Sequence, residues 1–213
     1  MAVAVKMCGL NTPEAVDAAV QAGAQLVGFV FFKATPRAVT PEQAGALARR
    51  VPKGVLKVGL VVDADDATLR RILREVPLDL LQLHGSESPE RVAEIKARFK
   101  IPVMKAVSIA GPEDIDRAHR YERVADRLMF DAKAPKSATR PGGNALAFDW
   151  ALLRGERWAV PWILAGGLTA ENVAEAVAIS GAATVDVSSG IEDAPGRKSP
   201  AKIRAFLATA ARL

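Results

Sequence analysis

Short apolar segments recur along the whole chain, and stretches with helical spacing separate them. The segments end near Cys8, Phe31, Val62, Leu83, Val107, Asp131, Ala165 and Val187. Successive ends lie 21 to 34 residues apart, which is about what a strand, a helix and two short loops require. Such alternation predicts a parallel sheet whose strands are joined by helices. No linker rich in Pro, Gly or Ser divides the chain, so we predict one domain over residues 1–213.

Eight such units favour a closed (β/α)8 TIM barrel, and 213 residues lie at the small end for that fold. An open doubly wound sheet is the alternative, but no G-x-G-x-x-G motif follows the first strand. A Ser or Thr followed by Pro marks four predicted helix starts, at Thr12-Pro13, Thr40-Pro41, Ser88-Pro89 and Ser199-Pro200. A further helix is predicted to begin at Thr169. The chemistry of a barrel lies at the C-terminal ends of its strands, so catalytic and binding residues are expected at those positions.

Composition limits the location and the partners. The chain has one cysteine and cannot form an internal disulfide, so we predict a cytoplasmic protein. Lys6 interrupts the first apolar run before a signal peptide could form, and no apolar stretch reaches the length of a membrane span. The net charge of +5 comes from basic residues scattered among acidic ones. We therefore expect neither nucleic acid nor a membrane as partner, although a mild positive field would attract a small anion.

The only cysteine ends the first predicted strand. Gly9 follows Cys8 where the chain must turn, and Lys6 lies two residues earlier on the same face of the strand. A lone cysteine is often only a small buried apolar side chain. A neighbouring ammonium would instead favour the thiolate, which is the form that acts as a base. We predict that Cys8 is catalytic and that Lys6, lining the site, lowers the pKa of Cys8 below that of a free cysteine.

Three other strand ends carry polar side chains. Asp131 closes the apolar sixth strand, where a carboxylate is costly unless it is paired or catalytic. Arg37 follows the second strand and either binds a carboxylate in a bidentate manner or lies on the surface. His84 follows the fourth strand and either lines the site or has a hydrogen-bonded structural role.

The last two strand ends carry glycines and hydroxyl groups. Backbone N–H groups at glycines and serine hydroxyls bind anions, and barrels often hold phosphate at the loops after strands seven and eight. We predict that these loops bind phosphate through Gly166, Gly167, Ser188, Ser189 and Gly190. Asp186 is predicted to line the site. The long loop over residues 132–147 is predicted to be a mobile lid.

Several motifs follow one another in a familiar order: Lys6-Met7-Cys8-Gly9-Leu10, Gly28-Phe29-Val30-Phe31-Phe32, Thr35-Pro36-Arg37, Leu81-Gln82-Leu83-His84-Gly85, Phe148-Asp149-Trp150, Leu164-Ala165-Gly166-Gly167-Leu168 and Val185-Asp186-Val187-Ser188-Ser189-Gly190. They resemble the phosphoribosylanthranilate isomerase family of tryptophan biosynthesis. The resemblance implies a barrel without metal or cofactor that isomerises N-(5-phosphoribosyl)anthranilate to a 1-deoxyribulose phosphate. Its partner would be this small phosphosugar, and the enzyme would be a monomer or homodimer.

The resemblance also implies roles for named residues. Cys8 resembles the family's general base, Asp131 its general acid and Arg37 the arginine that meets the anthranilate carboxylate, while the two glycine-bearing loops match the phosphate site. The chain departs from the family's common forms in two loops. Lys33-Ala34-Thr35-Pro36 stands where Pro-Lys-Ser-Pro is common, and Gly142-Gly143-Asn144-Ala145 replaces Gly-Gly-Thr-Gly.

The proposed chemistry suits these residues. An acid must protonate the ring oxygen of the aminosugar, and a base must remove the C2′ proton, so Asp131 must be protonated and Cys8 must be a thiolate. A pentulose-phosphate epimerase is one alternative, but it would need metal-binding histidines at strand ends, where only His84 is available. A histidine-pathway sugar isomerase would carry an acid in place of Cys8. A barrel that only binds phosphate ligands or partner proteins would lack the acid–base pair.

Overall fold

Eight parallel strands close into a barrel in the order of the sequence. The structure is a computed structural model that describes residues 2–133, 142 and 147–213. The strands are β1 (Ala4–Cys8), β2 (Leu26–Val30), β3 (Leu56–Val61), β4 (Leu80–Leu83), β5 (Val103–Ile109), β6 (Arg127–Ala132), β7 (Trp162–Leu164) and β8 (Thr184–Val187). β1 pairs with both β2 and β8, which closes the ring. The predicted (β/α)8 fold is confirmed, and each strand ends within two residues of its predicted end.

Helices connect the strands on the outside of the barrel. Those of the described ranges are α1 (Pro13–Gln21), α2 (Pro41–Ala48), α3 (Asp66–Glu75), α4 (Pro89–Phe99), α5 (Pro112–His119), α6 (Val173–Ser180) and α7 (Pro200–Ala210). A short two-stranded hairpin, β9 (Glu192–Ala194) and β10 (Arg197–Lys198), lies between β8 and α7. None of these helices is long and apolar enough to cross a membrane.

The helix starts follow the predicted capping pattern at three of the four Ser-Pro or Thr-Pro pairs. Thr12, Thr40 and Ser88 each accept a hydrogen bond from the backbone N–H three residues later. Ser199 precedes α7 as predicted, but its side chain makes no capping bond.

Two helix predictions were wrong. The helix expected from Thr169 begins only at Val173, because Thr169 N–H donates to Asn172 Oδ1 at 2.8 Å and holds the intervening residues in a turn. Between β6 and β7 the described residues form only a 3₁₀ helix, Trp150–Leu153, where an eighth α-helix was expected. That 3₁₀ helix stops before Gly155, whose φ of +79° lies in the left-handed region. The proposed lid falls mainly on residues 134–141 and 143–146, outside the described residues.

Strand residues alternate between the barrel interior and the layer beneath the helices. A separate apolar cluster fills the interior and consists of Leu26, Val58, Leu80, Met104, Ala106, Met129, Ile163 and Ala165. The same alternation places five polar side chains inside the barrel, and their positions along the strands bring them toward its C-terminal end: Lys6, Cys8, Gln82, Asp131 and Asp186. The apolar layers therefore form a floor, and the polar positions lie above it.

The capping box at the start of α2 provides a test of the helix-start analysis. Thr40 Oγ1 accepts from Gln43 N at 3.2 Å, and Gln43 Oε1 accepts from Thr40 N at 2.8 Å. We expect Thr40→Ala to lower the free energy of unfolding by about 1 kcal/mol in urea titrations. Thr68→Ala, at an exposed position in the first turn of α3, is the control and should change it by less than about 0.5 kcal/mol. Equal losses in the two variants would contradict the role of the cap.

Candidate active site

A cavity opens at the C-terminal mouth of the barrel, where the fold predicts the chemistry. Nine of the predicted site residues line it: Cys8, Arg37, His84, Asp131, Gly166, Gly167, Asp186, Ser188 and Ser189. Apolar side chains from β2, β3 and the loops after them form one wall, and include Val30, Phe32, Leu60 and Val62. Lys6 lies beneath this surface with no exposed area. The cavity therefore brings together residues from both ends of the sequence, such as Cys8 and Ser189.

Cys8 lies above a buried ion pair. Lys6 Nζ donates to Asp186 Oδ1 at 2.7 Å, across the seam between β1 and β8. Gly28 on β2 lies alongside, and a Cβ added there would be 3.1 Å from Lys6 Nζ and 3.3 Å from Cys8 Sγ. The absence of a side chain at Gly28 thus leaves room for the ammonium and the thiol to lie side by side.

The prediction of a lowered pKa for Cys8 was wrong. Burial raises the pKa of the Cys8 thiol, and although Lys6 and Lys198 oppose this effect, the Asp186 carboxylate adds to it. The ammonium of Lys6 is already shared with Asp186. Burial alone would lower the pKa of Lys6, but Asp186 and Cys8 outweigh burial and hold that pKa above its usual value. Lys6 therefore remains charged beneath Cys8 without making the thiol more acidic than a free cysteine.

Asp131 and His84 form a hydrogen-bonded pair on the other side of the cavity. Asp131 Oδ2 lies 3.1 Å from His84 Nε2, and Asp131 Oδ1 accepts from the N–H of Ala132 at 2.9 Å. Gly142 covers the pair, since a Cβ added there would be 2.7 Å from His84 Nε2. Both open interpretations of His84 hold, because it lines the cavity and is hydrogen-bonded.

Gln82 completes this group and was missed by the sequence analysis. Its Nε2 lies 2.7 Å from His84 Nδ1, and its side chain has no exposed area. The signal was present, because Gln82 lies in β4 two residues before His84, which directly follows the strand, so alternation predicts the same face for both. A polar residue at an interior position of an apolar strand was the observation to follow.

Arg37 is buried, so the interpretation of a surface arginine was wrong. It is 4% exposed, and its Nε and Nη2 donate to the two carboxylate oxygens of Glu192 at 2.7 and 2.8 Å. The bidentate geometry predicted for a ligand carboxylate is thus made within the protein.

Glu192 also binds Lys198, and together they connect Arg37 to the loop after β8. Lys198 Nζ lies 2.8 Å from Glu192 Oε1 and donates to the backbone oxygen of Ser188 at 2.9 Å. Burial alone would raise the pKa of Glu192, but Arg37 and Lys198 hold it below its usual value. Burial lowers the pKa of Lys198, and Glu192 only partly opposes this. Neither Glu192 nor Lys198 was identified from the sequence, because the hairpin that carries them has no regular apolar pattern.

The two predicted phosphate loops lie in contact. Gly166 and Gly167 both have positive φ, +91° and +64°, and a Cβ on Gly166 would be 2.8 Å from the backbone nitrogen of Ala132. Gly190 does not line the cavity; a Cβ there would overlap the carbonyl oxygen of Leu168. Gly190 therefore lets the loop after β8 pack against the loop after β7.

Sequence comparison identifies relatives over the whole chain. A family model described as N-(5'phosphoribosyl)anthranilate (PRA) isomerase matches residues 5–209. A relative from Rhodospirillum centenum is 59% identical over 214 residues, covering 100% of both chains, and bears the name N-(5'-phosphoribosyl)anthranilate isomerase. A relative from Paracoccus denitrificans with the same name is 59% identical over 210 residues, covering 99% of this chain and 98% of its own.

The chain belongs to the N-(5'-phosphoribosyl)anthranilate isomerase family. Solved structures agree with this assignment. The phosphoribosylanthranilate isomerase of Thermotoga maritima superposes with a TM-score of 0.87 at 34% identity, covering 99% of this chain and 100% of its own. A phosphoribosylanthranilate isomerase solved with reduced 1-(o-carboxyphenylamino)-1-deoxyribulose 5-phosphate gives 0.84 at 32% identity, with the same coverage. The predicted family is confirmed, and with it the prediction of an isomerase of tryptophan biosynthesis.

The environment of Cys8 leads to a test with a single label, since the isomerase chain has one thiol. We expect the rate of alkylation by iodoacetamide to rise with pH, with a midpoint above the ~8.5 of a free cysteine, because burial disfavours the thiolate. The rate is measured by mass spectrometry of the intact chain. The Cys8→Ser variant gives the background. A midpoint below that of free cysteine would show that Lys6 outweighs burial.

The cluster of Arg37, Glu192 and Lys198 leads to a second test. Glu192→Gln removes the carboxylate that two buried cations, Arg37 and Lys198, share, so we expect the free energy of unfolding to fall by about 3–5 kcal/mol. Asp193→Asn is the control, because Asp193 is the exposed neighbour in the same hairpin and pairs with Lys202 at 3.4 Å. It should cost less than about 1 kcal/mol. Urea denaturation of both variants makes the comparison, and similar losses would contradict the buried network.

Proposed function

We propose that this chain converts N-(5'-phosphoribosyl)anthranilate to 1-(2-carboxyphenylamino)-1-deoxyribulose 5-phosphate, with Cys8 as general base and Asp131 as general acid. The observation that carries the proposal is that both groups line one cavity, from strands that are three positions apart around the ring. A substrate ring held between them would present one face to each group. Acid–base groups of this kind typically accelerate a reaction by about 10²- to 10⁴-fold.

The proton inventory balances with these two groups alone. Asp131 protonates the furanose ring oxygen, and the bond from that oxygen to C1′ breaks to leave an iminium. Cys8 then removes the C2′ proton. The electrons of the C2′–H bond form a double bond between C1′ and C2′, and those of the C1′–N double bond return to the nitrogen, which gives an enolamine. The enolamine becomes the ketone when C1′ gains a proton and the C2′ hydroxyl loses one, which returns both groups to their starting states. Because substrate and product are isomers, the scheme uses no redox cofactor or co-reactant.

The two ends of the substrate fit two regions of the cavity. The phosphate is assigned to the loops after β7 and β8, where the backbone at Gly166, Gly167 and Ser189 supplies N–H groups. The anthranilate carboxylate is assigned to the side of Arg37. The ring between them would lie against the apolar wall that includes Phe32 and Val62. Lys6 and Asp186 form the ion pair beneath Cys8, and His84 lies beside Asp131.

The cluster at the hairpin supports binding of an anion. Arg37 and Lys198 are both cationic and share the carboxylate of Glu192. A substrate with a phosphate and a carboxylate would be attracted to this end of the cavity. We also propose that the enzyme acts in the cytoplasm as a monomer or homodimer; a related solved chain is described as a monomer generated from the dimeric enzyme of Thermotoga maritima.

Turnover of phosphoribosylanthranilate, followed as the loss of its anthranilate-type fluorescence, tests the proposal. We expect Asp131→Asn to fold normally and to lower kcat by about 10²- to 10⁴-fold, because the amide cannot deliver the proton. Asp126→Asn is the control, since Asp126 precedes the same strand and pairs with Lys96 at 2.7 Å at the opposite end of the barrel. It should leave kcat within about twofold of wild type. A wild-type kcat in folded Asp131→Asn would remove Asp131 from the mechanism.

A further inference from the structure

The direction of the hydrogen-bond chain behind Asp131 depends on which end of the Gln82 amide faces His84. With the nitrogen toward His84, the amide can only donate, and the 2.7 Å contact then needs an unprotonated Nδ1. A neutral His84 must then carry its hydrogen on Nε2, which donates to Asp131 Oδ2 at 3.1 Å. Asp131 Oδ1 already accepts from Ala132 N–H. Each carboxylate oxygen of Asp131 thus accepts one hydrogen bond in this arrangement, as expected after the acid has given up its proton.

The reaction begins from the opposite state, with a proton available to Asp131. One proton added to the His84–Asp131 pair has two hydrogen-bonded arrangements. Either an imidazolium lies beside a carboxylate, or a neutral imidazole accepts from a protonated Oδ2. In both arrangements Nδ1 carries a hydrogen, so the amide N–H of Gln82 would be directed at another N–H. When the His84–Asp131 pair carries this additional proton, only the oxygen of the Gln82 amide can accept a hydrogen bond from Nδ1.

Gln82 has that oxygen available. Its Oε1 is buried and has no hydrogen-bond partner among the described residues. Its Nε2 makes one further contact, to the sulfur of Met129 at 3.3 Å, and a thioether is a weak acceptor. Turning the amide over exchanges oxygen and nitrogen without moving the rest of the side chain. It replaces the N–H bond to Nδ1 by a bond that Oε1 accepts, gives up the contact with Met129 and directs the amide N–H groups to the position that Oε1 had occupied.

We propose that Gln82 is a positioning residue for the acid proton, whose amide reverses as the His84–Asp131 pair gains or loses that proton. The amide donates to Nδ1 when the His84–Asp131 pair lacks the additional proton, and it accepts from Nδ1–H when the pair carries that proton. Gln82 thereby fixes which nitrogen of His84 faces Asp131 with a hydrogen. This inference rests on the proposed role of Asp131 as the acid.

The surrounding charges do not replace this function. Lys105 on β5 approaches the backbone beside His84, with Nζ 2.6 Å from the carbonyl oxygen of Gly85, but it is paired with Glu87 at 2.8 Å. The other described charged or titratable residues that line the cavity are Cys8, Arg37 and Asp186. Gly142, which covers the pair, carries no side chain. Gln82 is therefore the described side chain in hydrogen-bond contact with His84 Nδ1.

The tautomer of His84 is measured directly by long-range ¹H–¹⁵N correlation spectra of the imidazoles. The chain has two histidines, and His119→Gln assigns the signals because His119 lies on α5 away from the cavity. In the wild type we expect the Nε2–H tautomer of His84 at alkaline pH. We expect a protonated Nδ1 as the pH falls into the range in which the enzyme turns over its substrate. A wild-type Nδ1 that stays unprotonated through that range would overturn the proposal.

Two variants of Gln82 change the hydrogen bond in opposite ways. Gln82→Glu offers only acceptors when ionised, so His84 should keep a hydrogen on Nδ1 at every pH where the enzyme is folded. Gln82→Met has similar length but neither donor nor acceptor for Nδ1, and should give a mixture of tautomers with kcat/KM lowered by about 10-fold or more. Thermal melting confirms that each variant is folded. Because the two substitutions make separate predictions, loss of one to misfolding leaves the other decisive.

Two results separate this inference from the assignment of the acid. If Asp131→Asn abolishes turnover but the imidazole spectra of wild type, Gln82→Glu and Gln82→Met respond identically to pH, the acid stands and the role of Gln82 is overturned. If Asp131→Asn keeps the wild-type kcat, the acid assignment fails and the inference fails with it. Variant-specific tautomers together with loss of turnover in Asp131→Asn support both.

Discussion

A fully buried lysine imposes the strongest constraint on this barrel. Lys6 can remain charged inside the ring only because Asp186 lies opposite it in the register of β1 and β8, with their side chains 2.7 Å apart. This pair lies at the seam where the first and last strands meet. It fixes the register of closure and places Cys8 above an ammonium, while Gly28 leaves the space that both groups need. The cavity is built on that layer.

The charges around the cavity are largely compensated within the protein. Lys6 pairs with Asp186, Lys105 with Glu87, and Arg37 and Lys198 share Glu192. Such pairing holds side chains in place more than it adds stability, because each buried charge has lost its hydration. At the hairpin two cations lie beside one carboxylate, on the side of the cavity to which we assign the carboxylate of the proposed substrate. A rigid cationic end and a nearly neutral floor suit a small molecule with two anionic groups.

Much of the fold and part of the site could be predicted from the sequence. Strand ends are legible because a buried parallel strand is a continuous apolar run, and polar residues such as Cys8, Asp131 and His84 stand out where the run stops. The features that were missed depend on contacts between distant segments. Glu192 and Lys198 look like ordinary surface charges until the hairpin folds over Arg37. The direction of the Cys8 pKa shift also required the structure, because it depends on the balance between burial, Lys6 and Asp186.

The ion pair at the seam between β1 and β8 affects the order in which the barrel can fold. Asp186 follows Lys6 by 180 positions in the chain, so Lys6 is synthesised well before its counter-ion. Until β8 emerges from the ribosome, an ammonium on β1 has no partner of opposite charge at the seam, and burying it alone is strongly unfavourable. The first strand must therefore stay hydrated or unpaired until the last strand arrives. Closure of the ring and formation of the cavity are therefore expected to follow the synthesis of β8.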